Sequence, residues 1–200
     1  MVLAGGRSSR LGLDKAFLRV GTGRPLVEQI LSLLARLSDD LIVVANEPEV
    51  FAHLGVRIVG DAFPGKGALG GIYSGLAAGR HERSLVVACD MPFLNANLLK
   101  YMLSLPSDYD VVIPRHGDGL VETMHTVYTR ACLGPIRRQL ELGELRVIGF
   151  FPSVVVRYVE EPELRLLDPE LLSLFNVNTP DQLHQANEIA RRLPSQSGQE

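Results

Sequence analysis

The chain has 200 residues, of which 46% are hydrophobic and 22% charged, a composition typical of an ordinary globular protein. Its net charge of −3 argues against a general nucleic-acid-binding protein, and its apolar runs are too short for a membrane span. Because the N-terminus lacks the basic-then-apolar build of a signal peptide and the two cysteines show no metal-ligand spacing, we expect a cytoplasmic protein with reduced thiols.

Apolar runs alternate with helical patterns along the chain. Strands are predicted at residues 2–4, 41–45, 56–59, 84–89, 111–114 and 154–159. Helices are predicted at residues 25–37, 47–54, 69–80, 97–105, 131–142 and 180–193. Strands that alternate with helices predict a mostly parallel sheet covered on both faces, and such sheets bind ligands at the carboxyl ends of their strands. No linker divides residues 1–193, so one domain is expected, followed by a disordered tail at 194–200.

The opening segment, LAGGRSSRLGLDK at residues 3–15, combines glycines with basic side chains directly after the first strand. Gly5 and Gly6 permit close backbone approach, and Arg10 and Lys15 can place cations against phosphate oxygens. The spacing excludes both a Walker A loop and a G-x-G-x-x-G fingerprint. The segment therefore predicts a phosphate-binding loop of another kind.

Basic residues are concentrated near the start of the chain. Residues 1–24 hold five basic side chains and one acidic side chain, although the whole chain is acidic. A local positive patch of this kind suits a small anionic ligand better than a polymer. Arg19 and Arg24 lie beyond the loop, and we expect them to be solvated surface residues.

Asp90 directly follows a buried apolar run and precedes Met91-Pro92. A carboxylate at the tip of a buried strand is well placed to bind Mg²⁺, which takes one or two carboxylates together with phosphate oxygens and water. The alternative is that Asp90 caps the following helix, but Asn95 or Asn97 is better placed for that role. We therefore predict that Asp90 is a metal ligand.

Two further segments have open interpretations. Asp61 begins a loop rich in glycine and proline, where a turn-forming role and a functional role are equally compatible with the sequence. Asn176 and Asn178 could form turns before the last helix, with Thr179 as its cap and Pro180 at its first position. The five histidines show no ligand spacing, and we interpret all of them as structural or solvated.

These motifs together resemble the molybdenum cofactor guanylyltransferase family. Residues 3–15 match the family pattern L-A-G-G-x-S-x-R-M-G-x-D-K except that Leu11 replaces methionine. Residues 23–26 match its G-x-P-L, residues 90–93 its D-x-P-F, and residues 176–180 its N-x-N-T-P. The resemblance extends from Leu3 to the last helix.

The resemblance implies a Rossmann-like, three-layer nucleotidyltransferase fold with a mostly parallel central sheet. It also implies that the protein transfers GMP from GTP to the terminal phosphate of the molybdenum-molybdopterin cofactor, with Mg²⁺ as the metal. The products would be molybdopterin guanine dinucleotide and pyrophosphate. The nucleotide-binding half would span about residues 1–115 and the acceptor half about 116–193. We further expect a monomer with transient contacts to other proteins of molybdenum cofactor biosynthesis, and no nucleic-acid or membrane partner.

The family's site residues map onto positions of this sequence. The positions expected to contact GTP are Leu3, Ala4, Gly5, Gly6, Lys15, Asn46 and Asp61. By the same matching, Asp90 would hold the metal, and Asn176 and Asn178 would lie near the pterin.

The expected chemistry needs charge neutralisation more than a protein nucleophile. Lys15 and Arg10 would offset triphosphate charge, and no general base is needed because the attacking phosphate is already ionised. Guanine presents N–H donors, so the carbonyls of Leu3 and Ala4 and the Asp61 carboxylate are the expected acceptors.

Three alternatives remain open. Molybdopterin cytidylyltransferases favour L-A-A-G and D-Q-P, against which Gly5 and Met91 count. Sugar-phosphate nucleotidyltransferases favour L-A-A-G-x-G-T-R, which residues 8–10 fit less well. A nucleotide-binding regulator without turnover is disfavoured because both Lys15 and Asp90 are present.

Overall fold

The computed structural model describes residues 1–4 and 15–193. Its strands form a single sheet in the order β3-β2-β1-β4-β6-β5-β7. The strands are β1 (Val2–Leu3), β2 (Ile42–Val44), β3 (Arg57–Val59), β4 (Arg83–Ala88), β5 (Val111–Arg115), β6 (His125–Thr129) and β7 (Val156–Glu160). All neighbouring strands pair in parallel except that β6 runs antiparallel to both β4 and β5.

Helices cover both faces of the sheet. They are α1 (Leu26–Leu34), α2 (Gly67–Ala78), α3 (Ala96–Ser104), α4 (Leu133–Glu141), α5 (Glu161–Arg165) and α6 (Pro180–Arg192). One core cluster joins α1 and α3 to the sheet face that presents Leu85 and Val87, and the other joins α2 and α4 to the face that presents Val86. This alternation along β4 is the period-two pattern of a strand buried on both sides. The predicted three-layer α/β fold with a mostly parallel sheet is confirmed.

The glycines of α2 let this helix lie close to its neighbours. A Cβ added at Gly70 would lie 2.9 Å from the carbonyl oxygen of Phe63 and 3.1 Å from both carboxylate oxygens of Asp61. At Gly71 the nearest atom would be a methyl group of Leu3 at 3.5 Å, an ordinary contact. A helix forms here despite the low helical propensity of glycine because this packing brings its first turns against the loop after β3 and the end of β1.

The structure differs from the predicted elements mainly in the second half. Strand β6 was not predicted, because its residues are partly polar although all five are buried. Thr126 donates its hydroxyl to the carbonyl of Glu122, and Tyr128 donates to the carbonyl of Thr123 at 2.9 Å, which satisfies these buried groups. The short helix α5 was also not predicted, and the helix expected from residue 131 begins with a 3₁₀ turn, Arg130–Cys132.

None of the helices in residues 1–4 and 15–193 is both long enough and apolar enough to cross a bilayer. Cys89 and Cys132 are buried in the core, and no disulfide bond joins them. The tail predicted to be disordered, residues 194–200, lies outside the described residues, and the division into two functional halves stays a prediction.

Candidate active site

The carboxyl ends of four parallel strands place the expected nucleotide-contacting residues along one edge of the sheet. Ala4 follows β1, Asn46 lies two residues after β2, Asp61 two residues after β3, and Asp90 two residues after β4. In open α/β sheets this edge is where ligands bind. The structure therefore brings together four of the predicted site residues that are distant in the sequence.

Lys15 makes the central polar contact of this edge. Its ammonium group donates to Asp90 Oδ2 at 2.8 Å and also to Asn178 Oδ1. The side chains of Lys15 and Asp90 are only 18% and 12% exposed, so this ion pair is largely screened from solvent by protein. Residues separated by 75 and 163 positions are thereby joined into one cluster, which we call the Lys15–Asp90–Asn178 centre.

The second carboxylate oxygen of Asp90 is buried and has no hydrogen-bond partner within the described residues. An unpaired buried carboxylate oxygen is costly unless a ligand satisfies it. Asp90 does not cap α3, because Asn95 Oδ1 accepts from the backbone N–H groups of Asn97 at 2.9 Å and Leu98 at 3.2 Å. The capping alternative for Asp90 is therefore wrong, and its free oxygen fits a cation.

The two asparagines of the 176–180 segment have different contacts. Asn176 donates its side-chain amide to the carbonyl of Leu174 at 3.0 Å, a local turn contact, whereas Asn178 contacts Lys15. The backbone N–H of Val177 donates to the carbonyl of Asp90 at 2.9 Å, which ties the segment to the loop after β4. Thr179 caps α6 and Pro180 begins it, as predicted.

Asp61 stabilises a local turn, which is one of the two roles that the sequence allows for this residue. Its Oδ1 accepts from the backbone N–H of Phe63 at 2.9 Å and lies 3.0 Å from the hydroxyl of Ser74. That hydroxyl also accepts from the backbone N–H of Ala62 at 2.8 Å. Both contacts of the carboxylate involve Oδ1, so a role of Oδ2 toward a nucleotide stays a prediction.

The remaining predicted residues are placed as follows. The Leu3 carbonyl accepts from the backbone N–H of Cys89 at 3.2 Å, so one of its lone pairs is used within the sheet rather than toward a base. Arg19 and Arg24 are exposed, as predicted for solvated residues. The expected roles of Gly5, Gly6 and Arg10 fall on residues 5–14, outside the described residues, and stay predictions.

Residues 1–151 match a family described as the MobA-like NTP transferase domain. The chain belongs to this family. A probable molybdenum cofactor guanylyltransferase from Pelotomaculum thermopropionicum is 38% identical over 95% of this chain and 92% of its own length. A molybdenum cofactor guanylyltransferase from Desulfosudis oleivorans is 34% identical over 93% of this chain and 92% of its own length.

A solved structure supports the same family. The molybdopterin-guanine dinucleotide biosynthesis protein A from Archaeoglobus fulgidus superposes with a TM-score of 0.84 at 26% identity, covering 96% of this chain and 98% of that protein. The predictions of the family and of a nucleotidyltransferase enzyme are confirmed.

Two buried polar side chains of this MobA-like transferase, Ser74 and His125, were not predicted from the sequence. Ser74 supports Asp61 from within α2, and its only sequence signal is a single serine in a helix of glycine and apolar residues. His125 lies fully buried on β6, and neither ring nitrogen has a partner among the described residues. Burial lowers the pKa of His125 to about 4, so the imidazole is neutral at physiological pH.

Proposed function

We propose that the protein transfers GMP from GTP to the terminal phosphate of the molybdenum-molybdopterin cofactor, giving molybdopterin guanine dinucleotide and pyrophosphate. The observation that carries this proposal is the Lys15–Asp90–Asn178 centre at the carboxyl edge of the sheet. The names of the two guanylyltransferase relatives and of the Archaeoglobus fulgidus protein agree with this activity.

Lys15 is suited to bind the triphosphate. An ammonium group has three N–H donors and no acceptor. Within residues 1–4 and 15–193, two of these donors are used by Asp90 and Asn178, which leaves one for a phosphate oxygen and fixes the direction of the side chain. Because both contacts pre-orient the lysine, little side-chain entropy is lost when the nucleotide binds.

Asp90 is the residue that would hold Mg²⁺. Among the described residues, its Oδ1 is buried without a partner, its Oδ2 is paired with Lys15, and no group of three or more potential metal ligands occurs. One carboxylate oxygen fits Mg²⁺, which usually takes few protein ligands and completes its shell with phosphate oxygens and water. Mg²⁺ bound there would neutralise charge on the reacting phosphates.

The transfer is an in-line displacement at the α-phosphorus of GTP. An oxygen of the acceptor's terminal phosphate forms the new bond, the bond to the bridging oxygen of the β-phosphate breaks, and its electron pair leaves with pyrophosphate. No proton has to be removed from the ionised acceptor phosphate. Lys15 stabilises the charge of the leaving group through its remaining donor.

Asn178 can contact both the lysine and the acceptor. Because an ammonium only donates, the amide oxygen of Asn178 must face Lys15, and its NH₂ group consequently points to the other side of the planar amide. These two donors suit the oxygens of the acceptor's phosphate. Ala4, Asn46 and Asp61, which follow β1, β2 and β3, would surround the nucleotide.

Four further features are part of this proposal. We expect Mg²⁺ as the metal, a monomer as the active form, the cytoplasm as its location, and transient contacts with other proteins of molybdenum cofactor biosynthesis. Gly5, Gly6 and Arg10 would complete the phosphate-binding loop between Ala4 and Lys15.

The test is to incubate the purified protein with GTP, Mg²⁺ and molybdopterin and to identify the product by mass. One pyrophosphate released for each molybdopterin guanine dinucleotide formed, and loss of both with EDTA, are the expected results. Pyrophosphate release that does not depend on the acceptor, or formation of a dinucleotide only with another nucleoside triphosphate, would overturn the proposal.

A further inference from the structure

Asp168 organises the turn that leads into the asparagine segment of the active site. It is 6% exposed, and its carboxylate accepts three hydrogen bonds from two residues. Oδ1 accepts from the backbone N–H of Leu172 at 3.2 Å, and Oδ2 accepts from the backbone N–H of Ser173 at 2.8 Å and from its hydroxyl at 2.6 Å. The carboxylate thereby satisfies the first N–H groups of the 3₁₀ turn Leu172–Leu174.

The same turn contains an unfavourable backbone conformation. Leu171 has φ +54° and is the one non-glycine residue with positive φ within residues 1–4 and 15–193. A leucine persists in this left-handed region only when surrounding contacts hold it there. Asp168 supplies these contacts on both sides, because its carbonyl accepts from Leu171 N–H at 2.9 Å while its carboxylate holds the next two residues.

A continuous set of contacts connects this turn to the Lys15–Asp90–Asn178 centre. The carbonyl of Leu174, the last residue of the turn, accepts from the Asn176 amide at 3.0 Å. Val177 is fully buried and donates its backbone N–H to the Asp90 carbonyl, and Asn178 contacts Lys15. The position of Asn178 therefore depends on where the turn at Asp168 directs the chain.

We infer that Asp168 is a positioning residue for nucleotidyl transfer. Among the described residues, the hydrogen bonds of the Asp168 carboxylate all go to Leu172 and Ser173 of the turn, while its backbone N–H donates to the carbonyl of Leu164 in α5 at 2.9 Å. Asp168 thereby sets the asparagine segment so that the Asn178 oxygen meets Lys15. Lys15 is then directed by both Asp90 and Asn178 rather than by Asp90 alone. This inference rests on the proposed function, because it assigns Asp168 to the same reaction.

The first test follows the Asn178 side-chain amide by NMR in the free protein. Asp168→Asn keeps the size of the side chain but replaces one accepting oxygen by a donor, so it cannot accept from both Leu172 and Ser173. We expect the Asn178 amide resonance to shift in this variant. Asp110→Asn is the matched control, because Asp110 also accepts a backbone N–H, from Val155 at 2.8 Å, but lies before β5 at the opposite edge of the sheet. This control should leave the resonance unchanged.

The second test is a double-mutant cycle on kcat/KM for GTP. Asp168→Asn alone should lower kcat/KM about tenfold, as is typical when an outer partner of a catalytic group is removed. In the Asn178→Ala background it should cause less than a twofold further loss, because residues that act as one unit are not additive. If Asp168→Asn does not fold, Ser173→Ala, which removes the 2.6 Å contact, serves in both tests.

Two results overturn the role of Asp168: an unchanged Asn178 resonance in a folded variant, or losses that multiply in the double variant. The resonance does not depend on the substrate. If the parent protein is inactive with GTP and molybdopterin but Asp168→Asn still shifts the Asn178 resonance, the proposed function is wrong and the positioning of Asn178 by Asp168 stands.

Discussion

Removal of the Lys15 ammonium group tests the phosphate-binding role of the opening segment. The group is largely buried and makes charge-assisted hydrogen bonds to Asp90 and Asn178, and the part of the chain that the structure describes leaves its third donor for a phosphate oxygen. A charge-assisted hydrogen bond contributes about 1.5–3 kcal/mol. Because about 1.4 kcal/mol corresponds to a factor of ten, Lys15→Ala should lower kcat/KM for GTP by roughly tenfold to a hundredfold.

The neighbouring basic residues provide matched controls. Arg19 and Arg24 are exposed, and Arg24 pairs with Glu28 on the surface at 3.4 Å. Exposed charges of this kind contribute little. Arg19→Ala and Arg24→Ala should therefore remain within a few-fold of the parent enzyme.

The assay is pyrophosphate release at varied GTP concentration, with circular dichroism to verify that each variant is folded. Lys15→Met, which keeps most of the apolar stem, separates the charge from the packing of the side chain and should lose as much activity as Lys15→Ala. If Lys15→Ala is no more impaired than Arg19→Ala, Lys15 does not bind the triphosphate and the reasoning is refuted.

Three other perturbations have defined outcomes. Asp90→Asn should reduce turnover by orders of magnitude and weaken Mg²⁺ binding by titration, while near-normal activity at limiting Mg²⁺ would exclude Asp90 as the ligand. Because burial lowers the pKa of His125 to about 4, the unfolded chain takes up a proton below pH 6.5 that the folded chain does not. The free energy of unfolding should therefore fall, as the pH is lowered from 6.5 to 4, by up to about 1.4 kcal/mol for each pH unit. His125→Leu should remove this pH dependence, which urea titrations at pH 7.5, 6 and 5 would measure. If the free energy of unfolding changes with pH in parallel for both proteins, His125 is not the group responsible. Gly70→Ala, whose Cβ would lie 2.9 Å from the carbonyl oxygen of Phe63, should destabilise the fold by about 1–3 kcal/mol. Gly71→Ala in the same helix is the control and should stay within about 1 kcal/mol of the parent. Equal melting temperatures of the two variants would refute the packing argument.

The position of the site could be predicted from the sequence because it depends on local patterns. Apolar runs located the strands β1 and β4, and the parallel arrangement places the residues after these two strands at one edge. Lys15 and Asp90 are therefore expected to be neighbours although 75 positions separate them.

The contacts that complete the site could not be predicted in this way. The bond between Lys15 and Asn178 depends on how α6 packs against the rest of the molecule, through buried side chains such as Val177 and Ala186. No local pattern encodes that packing. The buried strand β6 escaped prediction because its sequence is partly polar, and only the folded chain shows that Thr126 and Tyr128 donate to backbone carbonyls of the preceding residues.

The most direct test of the central claim is a comparison of kcat/KM for GTP, CTP, ATP and UTP with molybdopterin as the acceptor. A pocket that pairs with the N–H donors of guanine leaves polar groups unsatisfied when another base binds. We therefore predict that GTP is preferred by about a hundredfold or more over each of the other three. Comparable turnover with CTP or ATP would contradict the assignment of the protein as a guanylyltransferase.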